Sequence, residues 1–365
     1  MRRTIVQITP YYPPHLGGLE RVVSNLAQRL AHRHDVRVLT TALGSGDAPR
    51  TAREDGVVVR RHRALEVAHT AVAPGLALDL ARLPKDAVLH LHCAHALMPE
   101  MVAVAAKLRG RRFLLHFHLD VDASGRFGAL LPLYKEHVFG RVLRAAAGVI
   151  ALTRQQADFL TGTYGVAAER VHIVPNGVGE QYFMPPRDAV PGRPLQLLFV
   201  GRLQAQKNVA RLLDAMSLVR GDVRLKIVGD GELRPGLEAQ AARLGLANVE
   251  FAGGLLGDDL VKAYAEADAF VIASDKEGMP LVVLEAMAAA LPLIGTDVPG
   301  TRELIDGTGV LAAPEPGALA RAIDAVAADP ARRTGLSAAS AERSRNYSWD
   351  TVARLVEDVY VRAGL

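Results

Sequence analysis

The chain has 365 residues, half of them hydrophobic and 22% charged, which suits two ordinary folded domains and excludes a disordered chain. Its 43 basic and 39 acidic side chains leave a net charge of +4 without a block of like charge, so nothing calls for a nucleic-acid partner. The single cysteine, Cys93, excludes an internal disulfide framework and fits a reducing, cytoplasmic setting, and no apolar run reaches membrane-spanning length.

Short β-rich runs alternate with amphipathic stretches. In chain order the predicted strands of the first half are Thr4–Thr9, Asp35–Leu39, Val57–His62, Ala87–His92, Arg112–Phe117 and Gly148–Leu152, with helices over Gly18–Ala31, Ala96–Leu108 and Leu131–Ala146. Alternation of this kind predicts parallel strands covered by helices on both faces, with ligands at the carboxyl ends of the strands. The segment Pro175–Pro194 is dense in proline and glycine and reads as a linker. A second series follows, with strands Leu195–Val200, Val223–Val228, Val249–Phe251, Ala269–Ala273 and Pro292–Gly295, and helices Val209–Val219, Leu233–Leu244, Leu256–Ala265 and Leu281–Ala290. The expected fold class is therefore α/β, two Rossmann-like doubly wound domains, 1–180 and 181–346. A C-terminal helix over 347–365 either caps the second domain or crosses back to the first.

The strongest chemical signal is Glu277-Gly278-Met279-Pro280-Leu281-Val-Val-Leu-Glu285. Pro280 suits the first helical position, and the free amides of that helix start make a phosphate site. Glu277 precedes the helix and is placed to meet a polar ligand. Glu285 sits among apolar helix residues, where a carboxylate accepts well from a pair of ribose hydroxyls; the alternative is a capping glutamate plus a salt-bridged one. The second signal is Gly201-Arg202 followed by Lys207 in a turn after a strand, two cations that can converge on a diphosphate. Gly229-Asp230-Gly231 ends another strand and on its own reads as a tight turn.

In the first half, Gly17-Gly18 links the first strand to the first helix and lets backbone approach a ligand, without the G-x-G-x-x-G spacing of dinucleotide binders. His118 lies just past a strand at its carboxyl end, whereas His116 is expected to point into the surroundings of the sheet. Asp120-Val-Asp122 matches a short metal-transferase pattern but has no accompanying ligand cluster, so contact with an acceptor is the milder reading. Phe127–Ala146 interleaves apolar residues with Lys135, Arg141 and Arg144. Packing on the sheet is the favoured reading, and peripheral contact with an anionic membrane face is the alternative.

Taken in order, Gly17-Gly18, His118, Pro175-Asn176-Gly177-Val178, Gly201-Arg202 with Lys207, Gly229-Asp230-Gly231 and the Glu277 to Glu285 motif resemble the retaining glycosyltransferases of glycosyltransferase family 4, across nearly the whole chain. The resemblance implies a GT-B fold, two Rossmann-like domains facing across a cleft, the acceptor in the first and a UDP- or GDP-sugar donor in the second. It implies that Arg202 and Lys207 hold the diphosphate, that Glu285 holds the ribose hydroxyls, and that Glu277 with the amides of Gly278, Met279 and Leu281 contacts sugar and phosphate. His118 is implied to hydrogen-bond the transferred sugar, and Gly18 to let its loop close over the phosphate. This sequence departs from the pattern at Ala273, where a proline commonly precedes the serine, at the bulky Met279, and at Asp120 and Asp122.

The implied reaction moves a hexose or N-acetylhexosamine to an acceptor hydroxyl on a small molecule, glycan or lipid carrier. The resemblance implies that configuration is retained and that no metal is needed, the latter because fixed cations and helix-start amides meet the departing diphosphate. The rival readings are a nucleotide-sugar epimerase on the same fold, distinguished by turnover of donor alone, and a non-catalytic nucleotide-sugar binder.

Overall fold

The structure is a computed structural model that describes residues 2–15, 17–67, 70–93, 97–119, 131–190 and 192–365. The chain divides into two compact units, Met1–Asn176 with Trp349–Leu365, and Gly177–Ser348.

In the first unit the described strands are β1 (Thr4–Ile8), β2 (Asp35–Thr41), β3 (Thr51–Glu54), β4 (Val57–His62), β5 (Leu65–Val67), β6 (Thr70–Val72), β7 (Val88–Cys93), β8 (Phe113–Phe117), β9 (Gly148–Ala151) and β10 (Val171–Ile173). The main sheet runs β10-β9-β8-β7-β1-β2-β4-β3, and β5 pairs with β6 apart from it. All neighbours in the main sheet are parallel except β3 with β4. That antiparallel pair turns through Asp55 and Gly56, both with positive φ, the conformation that a two-residue hairpin loop demands. β3 is absent from the expected strands, although the Asp55-Gly56 turn signal is in the sequence. β7 and β8 are buried along their whole length, as parallel strands covered on both faces must be. Helix Gly18–Ala31 packs through Val22, Val23, Leu26, Ala27 and Leu30, one face at helical spacing.

The expected helix over Leu131–Ala146 is present as Leu131–Tyr134, a π-helical turn at Lys135–Phe139, and Gly140–Ala145. Phe139, Val142 and Leu143 enter the core of this unit, while Leu133 and Val138 stay exposed. The C-terminal helix Trp349–Arg362 packs in the same unit, burying Trp349, Val352, Val356 and Tyr360. Arg33 holds its Glu357 with two hydrogen bonds of 2.9 and 2.6 Å.

The second unit contains β11 (Leu195–Val200), β12 (Val223–Val228), β13 (Val249–Gly253), β14 (Ala269–Ile272), β15 (Leu293–Thr296) and β16 (Gly309–Ala312). They form a wholly parallel sheet in the order β13-β12-β11-β14-β15-β16. Counted within the unit this is the 3-2-1-4-5-6 order of the Rossmann fold, and its direction of winding reverses between β11 and β14. Its core is continuous from Leu197 and Phe199 to Ile323 and Val326.

The proline- and glycine-rich segment after Pro175 is not a free linker. From Gly177 onward it belongs to the second unit. Val178 N–H donates to Tyr347 O at 2.7 Å and Met184 N–H to Ala288 O at 2.9 Å. Arg187 spreads its guanidinium over the carbonyls of Tyr264, Ala265, Ala267 and Ala289, at 2.5 to 3.1 Å, closing the ends of two helices. Proline content signalled the lack of regular structure there, but the docking depends on those distant carbonyls. Replacing this one side chain, Arg187→Ala, strips four acceptors of a charged donor. It is expected to cost the second unit about 2–3 kcal/mol in urea unfolding, and an unchanged midpoint would refute the docking role.

Candidate active site

The second sheet reverses its winding between β11 and β14, and it is beyond the carboxyl ends of such a strand pair that open α/β sheets bind ligands. The loops leaving these two strands carry the predicted cations and acids. After β11, Arg202 is exposed, and Lys207 ends a short 3-10 turn, Ala205–Lys207. After β14, Asp275, Lys276 and Glu277 lead to helix Leu281–Ala288. Lys207 Nζ meets Glu277 Oε1 at 2.6 Å, with little of either side chain exposed. The two loops are stitched further along their length. Gln206 Nε2 donates to Lys276 O at 2.6 Å, Asp275 N–H to Gln206 O at 3.0 Å, and Arg211 to Ala273 O at 2.9 Å and to Asp275 Oδ1 at 2.6 Å. Asn208, at positive φ, caps helix Val209–Met216 and also reaches Asp275.

The acid motif forms one turn and one helix. Glu277, Gly278, Met279 and Leu281 are all buried, so Met279 packs inward beneath the turn. Pro280 corrects the expectation by one place. It is the N-cap, in extended conformation, and Leu281 is the first helical residue. The first-turn amides that helical geometry leaves without intrahelical acceptors therefore begin beyond the proline. Glu285 is 2% exposed, and Tyr264 O–H donates to its Oε2 at 2.9 Å. This carboxylate thus has a built hydrogen-bond donor beneath it, a feature invisible in the motif itself.

The glycines act by backbone spacing. Gly229 has φ +141°, and a Cβ there would strike Gly201 O; a Cβ on Gly231 would strike Leu203 O. These close approaches let Gly201 N–H donate to Val228 O at 3.0 Å and Leu203 N–H to Asp230 O at 2.9 Å, so the Gly-Asp-Gly turn buttresses the loop that carries Arg202. Gly300, not among the expected site residues although Pro299-Gly300 is a turn signal, plays the same part for Glu277. Its φ is +84°, a Cβ would strike Glu277 O, and Glu277 N–H donates to Pro299 O at 3.0 Å.

In the first unit the winding reverses between β1 and β7. Gly17 is extended and starts helix Gly18–Ala31; a Cβ on it would strike Glu20 Oε2, because the buried Glu20 folds back to bond His15 Nδ1 at 2.7 Å. Beside Gly18 there is open space. His118 follows β8 and is half-buried, with its carbonyl accepting from Gln156 Nε2 at 3.1 Å. His116 does not turn away from it. Residues two apart in a strand share a face, and the rings stack with centroids 4.3 Å apart. His90 and His92 of β7 complete the same stack. Nitrogens of His90, His92 and His116 lie within 4.8 Å of one another. Their planes, however, are inclined by only 11° to 31°, and lone pairs in near-parallel planes do not converge on one ion. Asp120 and Asp122 lie outside the described residues.

With this geometry in hand, comparison with known proteins decides the family. The family model described as "Glycosyltransferase Family 4" matches residues 16–181, and that described as "Glycosyl transferases group 1" matches residues 194–329. This chain belongs to glycosyltransferase family 4. A D-inositol 3-phosphate glycosyltransferase of Xylanimonas cellulosilytica is 30% identical, over 95% of this chain and 92% of the relative. Among solved structures, a sucrose-phosphate synthase from Thermosynechococcus elongatus aligns with a TM-score of 0.78 at 21% identity, covering 99% of each chain. Anabaena Alr3699/HepE in complex with UDP and glucose aligns with a TM-score of 0.78 at 20% identity, covering 99% of this chain and all of that one. The glycosyltransferase thus has the GT-B type of fold, with two Rossmann-like domains.

Two predictions follow from the site's physics. Gly300→Ala forces an L side chain into a left-handed backbone against Glu277 O. The expected loss exceeds about 1 kcal/mol in thermal or urea unfolding, and full stability would show that the turn is not braced there. The histidine stack sets a pH dependence. Burial lowers His90 to about 3 and holds His92 and His116 well below 6.5. The folded unit keeps these rings neutral while the unfolded chain protonates them below about 6.5, so stability is lost as pH falls from there towards 3. Each ring contributes up to about 1.4 kcal/mol per pH unit in that window. His116→Leu, removing one of them, is expected to flatten the fall in urea midpoint between about pH 7 and about pH 5; an unaltered fall would refute the buried neutral state.

Proposed function

We propose that this glycosyltransferase moves a hexose or N-acetylhexosamine from a nucleotide-diphosphate sugar to an acceptor hydroxyl with retention of configuration and without a metal ion. The observation that carries this reading is the Lys207–Glu277 pair. It brings a cation and an acid together at the winding reversal of the second sheet, beside the start of helix Leu281–Ala288 and on the same loop as Arg202. Cleaving the anomeric C–O bond leaves negative charge on the departing diphosphate. Arg202, Lys207 and the amides around Gly278, Met279 and Leu281 are the groups that stabilise it as it develops. Glu277 contacts the sugar and shares Lys207 with the phosphate. Glu285, backed by Tyr264, takes the ribose hydroxyls. Gly201 and Gly229 hold the cation loop in place. In the first unit Gly17 and Gly18 let backbone approach the phosphate, and His118 hydrogen-bonds the transferred sugar.

With neither acid free to act as an evident covalent nucleophile, a donor phosphate oxygen takes the acceptor's proton as the new bond forms on the same face. The UDP and glucose named for Alr3699/HepE support a uridine donor, and the name of the Xylanimonas relative makes D-inositol 3-phosphate the first acceptor to try.

Lys207→Ala and Arg202→Ala are each expected to lower kcat/KM for sugar transfer by about 10- to 100-fold, or roughly 1.5–3 kcal/mol, with the fold intact by circular dichroism. Near-normal turnover in both would refute the diphosphate role. Activity is expected to survive a strong chelator, and the anomeric proton of the product is expected to show the donor's configuration by NMR. Chelator loss restored by manganese, or an inverted product, would overturn those parts of the reading.

A further inference from the structure

One face of the first unit's sheet carries a run of polar side chains that the transfer reaction does not obviously use. Gln7 of β1 sits opposite His90 of β7, and His92 opposite His116 of β8, so all four share a face with His118. Gln7, His90, His92 and His116 are at most 1% exposed. The C-terminal helix adds Tyr360, also buried, from 270 residues along the chain from His90. Tyr360 Oη lies 2.8 Å from His90 Nδ1, and Gln7 Nε2 donates to that hydroxyl at 3.3 Å. Gln7 Oε1 meets His92 Nε2 in a short hydrogen bond, and His92 Nδ1 lies 3.0 Å from His118 Nε2.

An amide has one donor end and one acceptor end, so the way Gln7 is turned sets the direction of the whole chain, and the Tyr360 hydroxyl and the neutral imidazoles, each able to donate or accept, follow it. With its nitrogen turned to Tyr360, Gln7 offers His92 only a carbonyl oxygen, so His92 Nε2 must carry hydrogen. Burial keeps His92 neutral, so its Nδ1 is a bare acceptor and His118 Nε2 must donate to it. His118, whose protonation burial also disfavours, is then left with a bare Nδ1, which has no hydrogen-bond partner among the described residues.

We propose that Gln7, turned with its nitrogen to Tyr360, and His92 form a positioning chain that holds His118 in its Nε2–H tautomer, so that His118 accepts, and does not donate, the hydrogen bond from a hydroxyl of the transferred sugar. The role of the sugar in this statement rests on the function proposed above; the tautomer does not. The C-terminal helix therefore has a part in the chemistry of the first unit through one phenol, and the site selects for a sugar that presents a hydroxyl hydrogen to His118. The imidazole of β8, His116, makes no hydrogen bond among the described residues and acts as the stacking wall that keeps the His118 ring plane in line.

The test uses the full chain with ring-15N histidine, with His118 assigned from the signals missing in His118→Gln. The multiple-bond proton–nitrogen spectrum is expected to show both His92 and His118 protonated at Nε2 and bare at Nδ1. In Gln7→Leu the His118 signals are expected to move towards a tautomer mixture. In Gln7→Glu, whose neutral acid keeps a carbonyl for His92, they are expected to stay. His92→Phe is expected to lower kcat about tenfold, the worth of one well-made hydrogen bond, with donor KM changed far less. A wild-type His118 protonated at Nδ1, or signals and kcat indifferent to Gln7→Leu and His92→Phe, overturns the proposal. If a variant does not fold, the wild-type spectrum still decides the tautomer. A wild type that transfers no sugar counts against the proposed function alone, since the spectrum reads the chain of hydrogen bonds directly.

Discussion

A cation and a carboxylate 2.6 Å apart, with little of either exposed, form the constraint around which the two central loops of the second domain are arranged. Taking both groups out of water is expensive, and it is tolerated because each compensates the other. The pair ties the loop after β11 to the loop after β14 at the one place in the sheet where the helices part to opposite faces. Paired with that carboxylate, Lys207 is held in position by the protein itself. Such preorganisation is what makes a fixed charge effective on developing negative charge.

The surrounding glycines keep that arrangement close-packed. Gly229 and Gly231 let one turn lie directly on the backbone of the Arg202 loop, and Gly300 does the same beneath Glu277. In each case the missing side chain makes room for a carbonyl of a neighbouring loop. The charged groups therefore stand on a lattice of backbone hydrogen bonds and depend little on their own side-chain rotamers.

The first domain works with neutral polarity. The histidines of β7 and β8 are buried, stacked and kept uncharged, and an amide and a phenol hydrogen-bond to those of β7. Charge would serve poorly there, because each imidazolium would repel its stacked neighbours and forfeit its hydration. The result is a directional hydrogen-bonding surface, in contrast to the electrostatic one of the second domain.

Local spacing made much of this legible from sequence. Alternation of β-rich and amphipathic runs revealed the doubly wound sheets, because periods of two and 3.6 are set by the backbone alone. The order of Arg202, Lys207, Glu277 and Glu285 likewise marked the two loops that meet at the winding reversal of the second sheet and the helix that follows them. A proline one residue off its expected place and a hairpin strand before Asp55-Gly56 were matters of boundary and of an unread turn signal. Four features were decided only by tertiary structure: the Lys207–Glu277 bond, Tyr264 beneath Glu285, Arg187 closing the ends of distant helices, and Tyr360 reaching the histidines of β7. Each joins residues that no local period relates. Which partner a buried polar atom finds depends on strand register and helix docking, and these are settled by the packing of the whole domain.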